Sequence, residues 1–394
     1  MNRRFLLVLF CLSIGHQLGF AQTYVSGSLQ QDESLRTYRI FLPASYEPGQ
    51  SLPLVINLHG LGSTDVEQIL YSRMDAVADS VGFIVVYPQG IELSLNGQTS
   101  THWNAGFGTG IDDLGFLSKL IDRLYTDYQI DLSRVYSTGM SNGGFMSYHL
   151  ACQLSDRIAA IASVTGAITV LDIANCALER PMPIMQIHGT ADPTVPFGGT
   201  APFTPSIPDV VNFWVGHNQC DITPDTLVLP DVDQSDSTTA IRVRYAACDS
   251  SVEVHFYIID GGGHSWPGAE PIPGLNPTNQ DFSASEVIWE FFSHYVHPNP
   301  AVGTLLSSDP VLDITAFLHP IPNPVADLLR IEVKDRLVNH IRITDLQGRI
   351  LWQQKQMSPR TRWDIHADSW PGAIYFLHIE TEHGHIVQKL IRKN

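Results

Sequence analysis

The chain is expected to be an α/β protein with a mostly parallel sheet, followed by a small all-β unit. Three observations point that way. Near-continuous apolar runs at residues 52–58, 83–87 and 182–187 are what strands covered on both faces look like. Segments with helical apolar spacing separate them, so strand and helix alternate through most of the chain. After about residue 316 the helical spacing stops, and six short strand-like runs follow, parted by turn residues such as Gln347-Gly348 and Pro371-Gly372.

In order, residues 35–42 are predicted as a strand closing on Pro43, and 52–58 as a buried strand interrupted only by Pro53 and Asn57. His59-Gly60-Leu61-Gly62-Ser63 follows as a loop. Residues 66–80 have helical spacing in Ile69, Met74, Val77 and Ala78, and 83–87 form the next buried strand. A loop with glycine and asparagine then runs to Gly110, and 111–125 is a helix with Leu114, Leu117, Leu120, Ile121 and Leu124 on its apolar side. Strands are expected at 135–138, 158–164 and 182–187, and a short helix around 208–216. Two more strands, at 240–245 and 251–259, have hairpin spacing, and 282–294 is an amphipathic helix. The all-β unit is predicted to have strands at 328–333, 340–344, 349–354, 361–365, 374–379 and 386–390.

The first residues, Met1-Asn2-Arg3-Arg4, precede an apolar run at 5–12, and Gly19-Phe20-Ala21 offers small residues where a signal peptidase would cut. This is the pattern of a secretory peptide ending at Ala21, too short for a membrane span. The predicted organisation is residues 1–21 as signal, 22–296 as the α/β domain, 297–316 as linker and 317–394 as the β unit. Charge divides at the same place. Residues 22–316 carry 10 Lys and Arg against 32 Asp and Glu, and residues 317–394 carry 11 against 8. The acidic part excludes nucleic acid as a partner. Cys152, Cys176, Cys220 and Cys248 remain after the signal, and an even number in an oxidising compartment predicts two disulfides. Three pairings are open. The sequential one, Cys152 with Cys176 and Cys220 with Cys248, is the expectation. No cysteine pair has zinc spacing, and neither metal nor cofactor is expected.

Chemistry concentrates at residues 139–143, Gly-Met-Ser-Asn-Gly, between a β-prone run and an apolar-periodic stretch with Phe145, Met146 and Leu150. That is strand, sharp turn and helix with Ser141 at the apex, and the turn needs its glycines because strand and helix approach closely. A serine nucleophile needs a base, and the base needs an orienting acid. Asp192, after a buried strand, and His264, in a glycine-rich loop after the last strand, follow Ser141 in the order nucleophile, acid, histidine. Both belong at carboxyl ends of strands, where open α/β sheets place their sites. His188 and Asp260 are the runners-up. Two backbone N–H groups, of Leu61 and Asn142, are the candidate oxyanion donors.

His59-Gly60, the 100–116 stretch with His102-Trp103-Asn104 and Asp112-Asp113, residues 139–144, 188–196 and 261–268 together resemble the secreted polyhydroxybutyrate depolymerases and the feruloyl or acetylxylan esterases. The resemblance covers roughly residues 25–296. It implies an α/β-hydrolase fold with Ser141, Asp192 and His264 as triad, and substrate contact near His102, Trp103 and Trp266. It implies a secreted, monomeric serine carboxylesterase acting on feruloyl or acetyl esters of plant polysaccharide, with a polyester depolymerase as the alternative. Leu61 stands where many relatives carry cysteine or another small residue, but only its N–H is needed. Pro322-Asn323-Pro324, residues 345–349, Gly372-Ala373-Ile374-Tyr375-Phe376 and the basic end 389–393 resemble the sorting domain of the type IX secretion system. That implies the secretion machinery as a partner and passage through the periplasm to the outside.

Overall fold

The computed structural model describes residues 23–31, 34–95, 98–271, 277–303, 328–332, 338–345, 349–355, 362–368, 370–381 and 384–392. The expected signal segment, Pro322-Asn323-Pro324 and Gln347-Gly348 lie outside them.

Two antiparallel strands, β1 (Thr23–Gln31) and β2 (Ser34–Leu42), precede the buried β3 (Leu54–Leu58). The predicted helix over 66–80 is two helices, α1 (Asp65–Ser72) and α2 (Met74–Val81). Arg73, at φ 48°, breaks them by entering the left-handed region. β4 (Ile84–Pro88) follows. The expected loop to Gly110 contains a hairpin, β5 (Ile91–Leu95) and β6 (Gln98–His102). Then come α3 (Asp113–Tyr128), capped by the Asp112 carboxylate, β7 (Val135–Met140), α4 (Asn142–Gln153), β8 (Ala160–Val164) and a short α5 (Val170–Ala174). β9 (Ile184–Gly189), α6 (Ile207–His217), β10 (Asp225–Val228), β11 (Thr239–Tyr245), β12 (Val254–Asp260) and α7 (Ala284–Phe292) complete the α/β part.

Six strands, in the order β12-β9-β8-β7-β3-β4, run parallel, and antiparallel strands flank them on both sides. Their all-buried character follows from alternation within each apolar run. On β3, Leu54, Ile56 and Leu58 face one core together with Phe116, Leu120, Met146 and Trp214 from α3, α4 and α6. Val55 faces the other, with Met74 and Ala78 from α2 and Ile288 and Phe292 from α7. Asn57, the polar interruption, is satisfied on that second side by Ser72 Oγ at 2.9 Å and Gln68 Nε2 at 2.7 Å.

The C-terminal part comprises β13 (Leu328–Glu332), β14 (Val338–Asp345), β15 (Ile350–Lys355), β16 (Arg362–His366), β17 (Ala373–Thr381) and β18 (Gly384–Arg392). The β13–β16 pair packs on the β18-β17-β14-β15 sheet around Leu329, Ile331, Trp363, Ile365, Ile343 and Leu377, which is the expected sandwich. Unlike the separate sheet the sequence suggests, β18 also pairs antiparallel with β1, so one sheet runs through both parts. The first residues of the expected linker are docked: His297 N–H donates to Ser133 O at 2.7 Å and Ala301 N–H to Asp156 O at 2.8 Å.

Cys152 is joined to Cys176 and Cys220 to Cys248, closing loops with sequence separations of 24 and 28. The second ties the end of α6 to the β11–β12 connection. Replacing Cys220 and Cys248 together by serine is expected to lower stability by about 2–4 kcal/mol in urea unfolding. A change of a few tenths would show that the loop is held by its packing alone.

Candidate active site

Ser141 follows β7, Asp192 follows β9 and His264 follows β12, all at the carboxyl ends of parallel strands. The first position is a strained turn. Ser141 has φ 54° and ψ −119°, a region that side chains rarely enter, and its N–H is tied to Val164 O at 2.8 Å. A Cβ on Gly143 would lie 2.1 Å from Leu58 O, so only glycine lets α4 start this close to β3. The serine thus stands at the N-terminus of a twelve-residue helix, where a developing negative charge is favoured.

Asp192 divides its two oxygens between structure and site. Oδ1 accepts the N–H groups of Thr194 (2.8 Å) and Val195 (2.9 Å), the turn that an aspartate before proline is expected to make. Oδ2 accepts from His264 Nδ1 at 2.8 Å. Burial alone would raise this carboxyl, but the His264 hydrogen bond and the Val195 N–H outweigh it and hold it below the usual range. With Nδ1–H donating, Nε2 of His264 is the nitrogen left to take a proton. Among the described residues no hydrogen bond joins Ser141 to His264.

The loops carrying acid and base are locked together. A Cβ on Gly189 would lie 2.1 Å from Gly262 O, and Ala191 N–H donates to that same oxygen at 3.0 Å. Asp260 is occupied elsewhere, accepting from Thr190 Oγ1 at 3.0 Å. His188 is a buried prop. Nε2 meets Val195 O at 2.8 Å and Nδ1 meets Gln186 Nε2 at 2.9 Å, and burial lowers its pKa.

The loop after β3 abuts the nucleophile, since a Cβ on Gly60 would touch Ser141 Cβ at 3.4 Å. Sequence reading missed the part His59 plays here. Its Nδ1 meets Gly60 O at 2.7 Å, and its Nε2 accepts from Gly90 N–H at 2.8 Å, so the proton sits on Nδ1. Burial lowers its pKa, keeping the ring neutral. A fixed Gly60 carbonyl fixes the planar peptide to Leu61, and with it the direction of the Leu61 N–H. The only signal for this was its place next to Gly60 at a strand end.

The three expected substrate contacts are corrected by their burial. Trp103 is fully buried; its N–H donates to Asn142 Oδ1 at 2.7 Å and its Nε1 to His59 O at 3.0 Å. Trp266 is also in the interior, donating Nε1 to Ser285 Oγ at 3.2 Å. His102 is buried with Nδ1 3.2 Å from Ile91 O. None can stack on a ligand. Trp103 and Asn142 brace the turn instead. Behind them the buried Arg36–Asp113 pair (2.6 Å) holds Asn104 N–H through Asp113 Oδ2 at 2.7 Å. Two apolar side chains are exposed on the segments that adjoin this turn. Leu61 is 65% exposed, and Phe107, 50% exposed, rests on Phe145 one turn after the serine.

Asp192→Asn is expected to lower ester turnover by about 10³–10⁴-fold, the cost of presenting the wrong tautomer, while Asp260→Asn stays near wild type. Equal losses in the two would remove Asp192 from its role. Because the folded pKa of Asp192 is depressed, its stabilisation is complete above the unfolded value of about 4 and fades as pH falls through the folded one. The stability gap between wild type and Asp192→Asn should therefore be present at neutral pH and close in acid.

A family profile described as phospholipase/carboxylesterase matches residues 47–218, and one described as a secretion system C-terminal sorting domain matches residues 321–393. The bifunctional acetylxylan esterase/xylanase XynS20E of Neocallimastix patriciarum is 28% identical over 265 residues, covering 67% of this chain and 34% of that protein. The putative esterase NocK of Nocardia uniformis subsp. tsuyamanensis is 29% identical over 249 residues, covering 59% and 71%. Probable feruloyl esterase C of Aspergillus niger is 28% identical over 266 residues, covering 65% and 83%. The chain thus spans about a third of the length of the first of these relatives. The fold is a mostly parallel sheet flanked by helices, and the chain is similar to the carboxylesterases and to the feruloyl and acetylxylan esterases, with a C-terminal part similar to secretion sorting domains.

Proposed function

We propose that this chain is a secreted serine carboxylesterase that removes feruloyl or acetyl groups from plant polysaccharide. The observation that carries the reading is the Asp192 Oδ2 to His264 Nδ1 contact of 2.8 Å on the strand ends beside the strained Ser141. In this reading Ser141 Oγ attacks the ester carbonyl carbon while His264 Nε2 takes its proton. The carbonyl oxygen becomes an oxyanion that accepts from the N–H groups of Leu61 and Asn142, each such donor being worth about 3–4 kcal/mol of barrier. The polysaccharide hydroxyl leaves with the proton from His264. Water, deprotonated by the same nitrogen, then cleaves the acyl-enzyme to acid and free serine. The net balance is ester plus water to acid plus alcohol. Asp192 orients the imidazole throughout, and His59 holds the Leu61 peptide.

Leu61 and Phe107, exposed beside the nucleophile, favour an acyl group with an apolar or aromatic body. A polyester strand would also lie on such a rim, which keeps polyhydroxyalkanoate hydrolysis as the second reading. Purified protein should be assayed on methyl ferulate, acetylated xylan, short p-nitrophenyl esters and polyhydroxybutyrate. Release of soluble acid from the polyester alone would decide for the second reading. Ser141→Ala should lose several orders of magnitude in turnover while unfolding at the wild-type temperature, and near-normal rates would remove Ser141 as nucleophile.

We assign residues from about 317 onward to export, with the type IX machinery as partner, and not to catalysis. Ser141, Asp192, His264, Leu61 and Asn142 all precede residue 265. Truncation after residue 305 should leave the rate on a small soluble ester within about twofold and hold the enzyme in the periplasm of its host. If export is unchanged and binding to insoluble xylan is lost instead, the unit is a polymer-binding module.

A further inference from the structure

On the α7 side of the sheet, a cavity of about 370 Å³ opens between β11, β12 and α7. It lies well away from Ser141. β12 carries its wall residue His255 near the start of the strand and delivers His264 beyond the other end. The five steps along the strand from residue 255 to 260 alone separate them by about 16 Å. The volume is within the range of ligand sites.

Its polar wall is a network with two loose ends. Arg244 Nε donates to Glu253 Oε2 at 2.8 Å, and Arg244 Nη2 donates to Oε1 of the same carboxylate. His255 Nε2 meets Glu253 Oε2 at 2.8 Å. The Arg244 hydrogen bond first, and His255 with it, holds Glu253 down at about 2, so it is an ionised acceptor and His255 Nε2 carries the proton. Burial lowers the pKa of His255 despite Glu253, which leaves Nδ1 a bare lone pair. That Nδ1 is buried without a hydrogen-bond partner, and so is Nε of Arg242 two residues along the neighbouring strand on the same face. Buried groups of this kind are rare unless something supplies their partner. Three aromatic side chains, Tyr257, Phe291 and Tyr295, share the wall with Ser251, Val287, Glu290 and His294, and Phe291 lies 4.8 Å from the His255 ring and 4.8 Å from Tyr295.

One N–H donor and one bare acceptor at diagonal positions on the same face of the strand pair are the complement of a hydroxyl group, which accepts from the first and donates to the second. A carboxylate or phosphate would leave the His255 lone pair unpaired and would face Glu253 and Glu290 across the cavity. We propose that this cavity is an accessory binding site for a neutral saccharide, separate from the catalytic site. A sugar hydroxyl bridges Arg242 Nε and His255 Nδ1, and a ring face packs on the aromatic wall. Holding a polysaccharide backbone there would raise the local concentration of its ester groups without entering the chemistry.

The test is calorimetric titration of the full-length Ser141→Ala protein with xylotriose, cellotriose and mannotriose, none of which carries an ester. At least one is expected to bind, with affinity falling tenfold or more in Arg242→Ala and in His255→Phe. Val287→Trp, which fills the cavity from α7 without touching the polar network, should abolish binding even if one polar variant misfolds. In a Ser141 background each variant should hydrolyse a short p-nitrophenyl ester at the parental rate, which separates failure of this site from failure of the esterase reading. No binding by any of the three sugars, binding unchanged in the variants, or binding of inorganic phosphate or glucuronate in their place would overturn the assignment.

Discussion

The carbonyl of Leu58 sits where a side chain at residue 143 would have to be, and much of the active site follows from that one contact. β3 and β7 are adjacent parallel strands, paired from Leu54 with Val135 to Leu58 with Gly139. A helix leaving β7 must turn back across the end of β3 at backbone distance. Glycine at 143 permits this, and Ser141 takes the strain as φ 54°. The same proximity brings Gly60 against the serine. One backbone-to-backbone approach therefore sets Ser141 at the strand end and brings the loop after β3 against it.

The surroundings convert this approach into a rigid site through polar groups that are each used more than once. Asn142 exchanges two hydrogen bonds with the Trp103 backbone, at 2.7 and 3.1 Å, while the Trp103 indole holds the His59 carbonyl. His59 in turn holds Gly60 and Gly90. Arg36 and Asp113, both buried, anchor the segment after Trp103, and Arg36 lies over the Phe116 ring at 4.2 Å. A buried ion pair of this kind is costly to break from one side, since about 3–5 kcal/mol is lost when a charge is left alone. Its place here is to fix a loop that carries no catalytic group but touches two that are assigned one.

The parallel core was legible because each strand is apolar on both faces, and so was the placement of Ser141, Asp192 and His264 at strand ends, because each follows such a run. What escaped depends on contacts distant in sequence. Nothing local to Arg73 marks it as a left-handed break, since its neighbours on both sides have helical spacing. The β5–β6 hairpin lacks an apolar alternation, and Gly62 N–H tethers it through Thr101 O at 2.8 Å. Trp103 and Trp266 look like exposed binding residues from their loop positions. Their burial is set by partners at Asn142, His59 and Ser285, 19 to 44 positions away. Asp192 shows the opposite case: a turn and a contact to a distant histidine are alternatives on paper, yet a carboxylate has two oxygens, and one makes the turn while the other meets His264.

The pairing of β1 with β18 joins Thr23 to Gln388, almost the two extremes of the described chain. Contacts so remote in sequence form last and slowly. Until that pairing forms, the outer side of β1 is a row of unpaired amides and carbonyls, since among the described strands of the α/β part only β2 pairs with β1, on its inner side. Open edges of this kind are templates for association between molecules. β18 therefore caps the first four residues of that edge, Thr23–Ser26. A chain truncated before β18 has this edge free, and its colloidal behaviour, rather than its turnover, is where the loss registers.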